Sequence, residues 1–273
     1  MIYCVNTDRP NTEKYIQSMA RGLPNSKLVS YKETINSTDA EKVAFMGFLR
    51  GGNLVYRWAE LHGVDFYYID RPYWGDSRKP PYWMRCTKNQ HVKTFIDNRP
   101  DNSNRFAQTF KNEILPYHKN GKYILVIPPS HSVALMFDGQ EWLKNTLKIL
   151  KENTDREIII REKPYNPKSF LDSEGKMMPG VSANEQPQRP FEWDQVHAVV
   201  TFNSSITIKA LTNGVPCFAN FENPCLPICE QDFTKIETPI YEDPRPVFYS
   251  LAYGQFTQEE FRSGYAMEIL DGR

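Results

Sequence analysis

Apolar and polar positions along the chain fall into short strand-like runs separated by longer stretches with helical spacing. Ile2 to Asn6, Lys27 to Tyr31, KVAFMGF and DFYYID read as strands. Between them, Asn11 to Arg21 reads as a helix begun by Asn11 or Thr12, and GNLVYRWAELHG as a second helix ending at Gly63. In that second helix Leu54, Trp58 and Leu61 recur at spacings of four and three, which predicts one apolar face. Strand, helix, strand in this order is a βαβ unit, and its crossover is expected to be right-handed.

The stretch RPYWGDSRKPPYWMRCTKNQ interrupts the pattern with proline, aromatic and basic residues and reads as a loop. Phe106 to Leu115 reads as a helix stopped by Pro116, and His118 to Lys122 as a domain junction. The pattern then restarts. YILVIPP is a buried strand, EWLKNTLKILKEN a helix with Leu143, Leu147 and Leu150 on one side, and EIIIREKP another strand. A polar excursion over 164–190 precedes HAVVTF, a helix from Ser205 to Asn213, and the strand VPCFAN. Gly214 stands where a helix takes its left-handed closing glycine.

A chain of 273 residues with 40% apolar content can bury a sizeable core. Its two successive α/β patterns predict two Rossmann-like domains facing across a cleft: 1–117, 118–245, and a C-terminal helical segment at 246–273 packing back on the first. Ligands of open α/β sheets gather at the carboxyl ends of the strands.

Composition narrows the function classes. No apolar run approaches the roughly 20 residues of a membrane helix, and the N-terminus lacks the form of a secretory signal, so a soluble cytoplasmic protein is expected. Five cysteines, odd in number and mostly far apart, suit reduced thiols better than a disulfide framework, and Cys225 with Cys229 find no second pair to complete a zinc site. Net charge is zero, but Arg50 to Arg99 holds nine Lys/Arg against five Asp/Glu, and Phe221 to Arg273 four against ten. This asymmetry fits an anionic partner on one side and equally fits ordinary variation between solvated faces.

The strongest chemical signal is VTFNSSITIKALTNGVPCFA, where a strand delivers Asn203, Ser204 and Ser205 to the start of a helix. Unpaired amides and serine hydroxyls at that point can hold a phosphate; equally, Ser204 can act as an ordinary helix cap. Two other strand ends supply Ser130 and His131, and Arg161 and Lys163. Arg161 suits bidentate phosphate contact and Lys163 a point charge.

These phrases, with REKP and RPVFYSLAYGQFTQEEFRSGYAMEIL, resemble the C-terminal half of GT-B glycosyltransferases. The likeness is to the KpsC and KpsS type of capsule polysaccharide transferase and their small phage-encoded relatives, and YYIDRPYWGDSRKPPYWMRCTKNQ resembles part of the N-terminal half. The resemblance implies a nucleotide-sugar donor held by the C-terminal domain, with Lys163, Ser204 and Ser205 at the donor phosphates. The enzymes that transfer Kdo follow Lys-Pro with histidine; here Tyr165 stands, so a UDP-sugar is expected in place of CMP-Kdo.

Transfer needs a base for the acceptor hydroxyl and an electropositive pocket for the leaving phosphate. Asp70 at the end of DFYYID is the first candidate base and Asp76 the second. His62, His91 and His131 are further possibilities, and a salt bridge with Arg71 or Arg78, or a loop cap, is the structural alternative for Asp70. No Asp-any-Asp triplet of the metal-dependent kind occurs, so the chemistry is expected to be metal-independent, with the nucleotide sugar as co-substrate and no permanent cofactor. Gly47, Gly51 and Gly52 are candidates for close backbone approach to substrate. Arg50, Arg71, Tyr73, Trp74, Arg78, Trp83 and Arg85 mix cations with aromatic rings, as an acceptor site for double-stranded DNA with hydroxymethylated bases would. A polysaccharide or glycolipid acceptor is the alternative. Outside transfer, the same scaffold suits a sugar-nucleotide epimerase or a non-catalytic nucleotide-sugar binding protein.

Overall fold

The computed structural model describes residues 1–6, 10–92, 102–162 and 191–272. Among these the chain forms two compact units, one of residues 1–110 and 250–272, the other of 111–162 and 191–249. No helix among the described residues is long and apolar enough to cross a membrane.

The first unit opens with β1 (Ile2–Val5), α1 (Pro10–Gly22), β2 (Ser26–Val29), α2 (Tyr31–Ile35), β3 (Lys42–Met46), α3 (Gly52–His62) and β4 (Asp65–Asp70), followed by β5 (Met84–Lys88) and α4 (Asn102–Thr109). The second unit holds β6 (Tyr123–Ile127), α5 (His131–Met136), α6 (Trp142–Asn153), β7 (Glu157–Ile160), β8 (Val196–Thr201), α7 (Ile206–Thr212) and β9 (Cys217–Phe218). After α8 (Arg245–Ala252), the first unit is completed by β10 (Gln255–Phe256), α9 (Gln258–Arg262) and α10 (Tyr265–Leu270).

The first sheet has the order β10-β5-β4-β3-β1-β2. Strands β1 to β4 are parallel, whereas β5 pairs antiparallel with β4, and β10 antiparallel with β5. One face buries Cys4, Ile69, Cys86 and Phe256 under Tyr15, Ile16 and Met19 of α1 and Phe261 of α9. On the other face Phe45, Tyr56, Phe66 and Tyr68 pack ring against ring at centroid separations of 5.0 to 6.4 Å. Each fully buried ring of this kind contributes about 1.5–3 kcal/mol of transfer free energy.

Three expectations fail in this unit. Helix α3 buries Val55, Tyr56 and Ala59, while Leu54 and Leu61 are 38% and 82% exposed. Both stripes have helical spacing, and the one carrying Tyr56 wins because its ring meets Phe45, Phe48, Phe66 and Tyr68. The second miss is β5, which lies inside the stretch read as a loop. MRCTK carries two polar side chains that no alternation rule would bury, and ion pairing rather than hydrophobicity admits Arg85. Helix α4 also begins and ends earlier than the expected 106–115; the chain beyond it is held extended by Leu115 N–H to Thr212 O and His118 N–H to Gly214 O.

In the second unit the order is β7-β6-β8-β9, all parallel. Its core joins Ile124, Val126, Ala198, Val200 and Phe218 of the sheet to Trp142 and Leu150 of α6. The buried line of α6 is Trp142, Thr146 and Leu150, with Leu143 and Leu147 half-buried beside it. Gly214 has φ +68, and a Cβ there would strike the Pro116 carbonyl, so only glycine closes α7 in this way.

Candidate functional site at the carboxyl edge of the second sheet

Parallel register brings the strand ends of the second unit to one edge. Ile127 pairs with Thr201, Val126 with Ile160, and Val200 with Phe218. Two further bonds tie the edge together: the Thr201 hydroxyl donates to Ile127 O at 2.8 Å, and Arg161 N–H to Val126 O at 2.9 Å. The loops leaving this edge carry Ser130 and His131, Arg161, and Asn203 to Ser205. Ser130 begins α5, with its hydroxyl 3.3 Å from that of Ser132. The half-buried Arg161 guanidinium stands 4.7 Å from the Phe191 ring centroid, a cation–π contact. Lys163, Tyr165 and the 164–190 excursion lie outside the described residues.

Within the Asn203-Ser204-Ser205 turn, the capping alternative is partly realised. Ser204 Oγ accepts from Ile206 N–H at 3.3 Å, and Ser204 O accepts from Thr207 N–H at 3.4 Å. Helix α7 is seven residues long, so little macrodipole backs the turn. What the turn still offers is the Ser204 hydroxyl proton and the exposed Ser205, for which no acceptor occurs among the described residues.

A residue the sequence reading passed over holds this turn in place. Buried Asn223 donates from Nδ2 to Ser204 O at 3.1 Å, while its Oδ1 accepts from the Thr207 hydroxyl and Cys225 N–H, each at 2.9 Å. Its only sequence signal is position: an Asn just before Pro224, a common turn pattern. Beside the turn, Phe202 stacks on Phe221 with centroids 4.2 Å apart and planes 5° from parallel.

In the first unit, Asp70 ends β4 as expected, and its carboxylate already accepts three hydrogen bonds. Oδ2 accepts from Arg85 Nη2 at 3.0 Å and from the Tyr68 hydroxyl at 3.1 Å, and Oδ1 accepts from Arg71 N–H at 2.7 Å. Asp76 accepts from the backbone and side chain of Arg78, which hold its carboxyl below the usual carboxylate range. Both candidate bases therefore sit in salt bridges. His91 is buried, stacked on Phe48, and pushed down to about 3 by burial and by nearby Arg85, so it is a neutral imidazole at neutral pH. His62 lies exposed on α3, its Nδ1 2.8 Å from Trp58 O.

The aromatic and basic stretch is largely internal. Tyr73 and Trp74 are buried; the Tyr73 hydroxyl donates to Val92 O, and Trp74 packs edge-on against Phe106 and Phe110. Arg85 is buried beside Asp70. These three are packing and ion-pair residues and not a stacking platform, because proline-bounded aromatic side chains found a core to enter. Arg71 and Arg78 are exposed, and Arg50 and Trp83 half-buried. Among the glycines, Gly51 has φ +88 and faces the Tyr31 ring, and a Cβ on Gly52 would strike Gly47 O. The amides that open α3 bond to Phe48, Leu49 and Gly51 carbonyls. The glycine loop serves close approach of the protein to itself.

No family model matches this chain, and no curated protein matches it by sequence. Solved structures do match by shape. The KpsC beta Kdo 2,4 transferase of Thermosulfurimonas dismutans aligns with a TM-score of 0.50 at 11% identity, covering 94% of this chain and 91% of that one. The KpsC beta Kdo 2,7 transferase of the same organism aligns with a TM-score of 0.46 at 13% identity, covering 99% and 98%. At such identity the first likeness speaks to architecture: this chain is a mixed α/β protein built on parallel sheets, with the fold of the beta Kdo 2,4 transferase.

Proposed function

We propose that the protein is a nucleotide-sugar-dependent glycosyltransferase of the GT-B type, with the donor diphosphate at the carboxyl edge of the second sheet. The observation that carries the reading is the register of that sheet, which gathers Ser130, Arg161, Ser204 and Ser205 on one edge of one unit. The fold shared with a solved Kdo transferase supports it.

In this reading Arg161, with Lys163 two residues on, meets the charge that develops as the sugar–phosphate bond breaks, and the serine hydroxyls donate to phosphate oxygens. Side-chain cations make the step independent of a metal. Asp70 receives the acceptor hydroxyl proton; three donors orient its carboxylate. The donor is a UDP-sugar. The exposed cations Arg71 and Arg78 favour an acceptor hydroxyl on an anionic polymer, and hydroxymethylated DNA is the first to test. With Tyr73 and Trp74 buried, base stacking does not support that choice, which favours a polysaccharide or glycolipid hydroxyl as the second reading.

Titration calorimetry with UDP, CMP and GDP tests the donor site. UDP should bind wild-type protein, and Arg161→Ala should weaken it about tenfold, the scale of one charge-assisted hydrogen bond. Unchanged affinity in both Arg161→Ala and Ser204→Ala would sink the assignment. Asp70→Asn should leave UDP binding intact and slow transfer. Mass spectrometry of nucleosides from hydroxymethylated DNA treated with UDP-sugars then separates the acceptors: no added hexose or pentose points to a glycan.

A further inference from the structure

Gln255 of β10 stands directly opposite Arg85 of β5, and Arg85 directly opposite Asp70 of β4, so the three side chains form a row on one sheet face. The orientation of the Gln255 amide is fixed by its surroundings. Oε1 accepts from Tyr73 N–H at 2.9 Å and from Trp74 N–H at 3.2 Å, which an amide nitrogen cannot do. Nε2 and its two hydrogens therefore point the other way, fully buried and bonded to no atom among the described residues. Arg85 Nε is in the same condition, although Nη2 of the same guanidinium is committed to Asp70. Two cross-strand neighbours, 0% and 8% exposed, thus present three N–H groups that lack an acceptor among the described residues. Native proteins rarely strand buried donors in this way, and two together call for a shared acceptor.

We propose that the Arg85–Gln255 pair is a donor-only site for a small monovalent anion of halide size. A water molecule fits the donors less well, because it brings two hydrogens that need acceptors of their own. The acceptors of the row are engaged: Gln255 Oε1 by two amides, Asp70 Oδ1 by Arg71 N–H, and Asp70 Oδ2 by Tyr68 and Arg85. A halide needs only donors, and it shares the Arg85 guanidinium with Asp70, whose carboxylate is one-third exposed and so partly hydrated. Bound there, it fastens β10 and the Tyr73–Trp74 turn to β5.

Crystals soaked in sodium bromide provide the direct test. An anomalous difference peak within hydrogen-bonding reach of both Arg85 Nε and Gln255 Nε2 is the expected result. In solution, the melting temperature should be several degrees higher in sodium chloride than in sodium gluconate at equal ionic strength, since a ligand of the native state stabilises it by mass action. Gln255→Glu keeps an oxygen for the two amides and gives Arg85 Nε a carboxylate oxygen; it should abolish the chloride dependence without lowering stability in gluconate. A peak lacking anomalous signal, equal melting in the two salts, or chloride dependence that survives Gln255→Glu would overturn the site. Should that variant not fold, the bromide result on wild-type crystals decides alone.

Discussion

Arg85 Nη2 lies 3.0 Å from Asp70 Oδ2, and the two side chains differ in exposure: 10% for Arg85 and 34% for Asp70. The pair joins the end of β4 to the start of β5, so it fixes an antiparallel turn in a sheet whose first four strands are parallel. The difference in exposure decides which partner the fold can spare.

Asp70→Ala leaves a buried guanidinium without its counter-ion, whereas Arg85→Met leaves a carboxylate that water can still reach. The expected costs are about 3–5 kcal/mol for Asp70→Ala and about 1–2 kcal/mol for Arg85→Met. Urea denaturation of the two variants checks the order; a larger loss for Arg85→Met would show that packing of the arginine stem outweighs its charge.

Asn223→Ala removes three hydrogen bonds around the Ser204 turn, while Ser204 O keeps the Thr207 N–H and hydroxyl as donors. Stability should fall by about 2–4 kcal/mol at the usual 1 ± 0.5 kcal/mol per bond. Thermal denaturation measures it, and an unchanged midpoint would remove Asn223 as the clamp of that turn.

His91 titrates near 3 in the folded protein against about 6.5 when unfolded. Between those values the unfolded chain binds the extra proton, so the stability is complete above pH 6.5 and is lost as pH falls. From pH 7 to pH 5 the loss should be about 2 kcal/mol, by proton linkage. His197, also lowered by burial, adds to the same slope. In His91→Phe the profile of unfolding free energy over this range should flatten; an unaltered profile would rule out His91 as its source.

The two stripes of α3 predict opposite tolerances. Leu61→Lys on the exposed side should change stability by no more than about 0.5 kcal/mol, while Tyr56→Ala should cost about 3–5 kcal/mol through the ring cluster it vacates. Chemical denaturation distinguishes them, and a costly Leu61→Lys would show that the exposed stripe is covered in solution.

Much of the architecture follows from the sequence because it depends on local spacing. The runs IYCV, KVAFM, DFYYID, YILVI and HAVVT carry enough continuous apolar character to be strands wherever they are placed, and Gly63 and Gly214 end their helices through φ values that other residues avoid. The Asn203-Ser204-Ser205 turn was legible for the same reason, as a strand-to-helix junction with its own cap. What tertiary structure alone decided was which of two equally spaced stripes of α3 to bury, and that MRCTK is a strand. It also decided that Tyr73, Trp74 and Arg85 turn inward, and that Asn223 and Gln255 hold loops far from them in sequence. Each of these outcomes rests on a partner many residues away, Asp70 for Arg85, Ser204 for Asn223, the Tyr73–Trp74 amides for Gln255, and a local pattern carries no information about a hydrogen bond or ring contact that only folding creates.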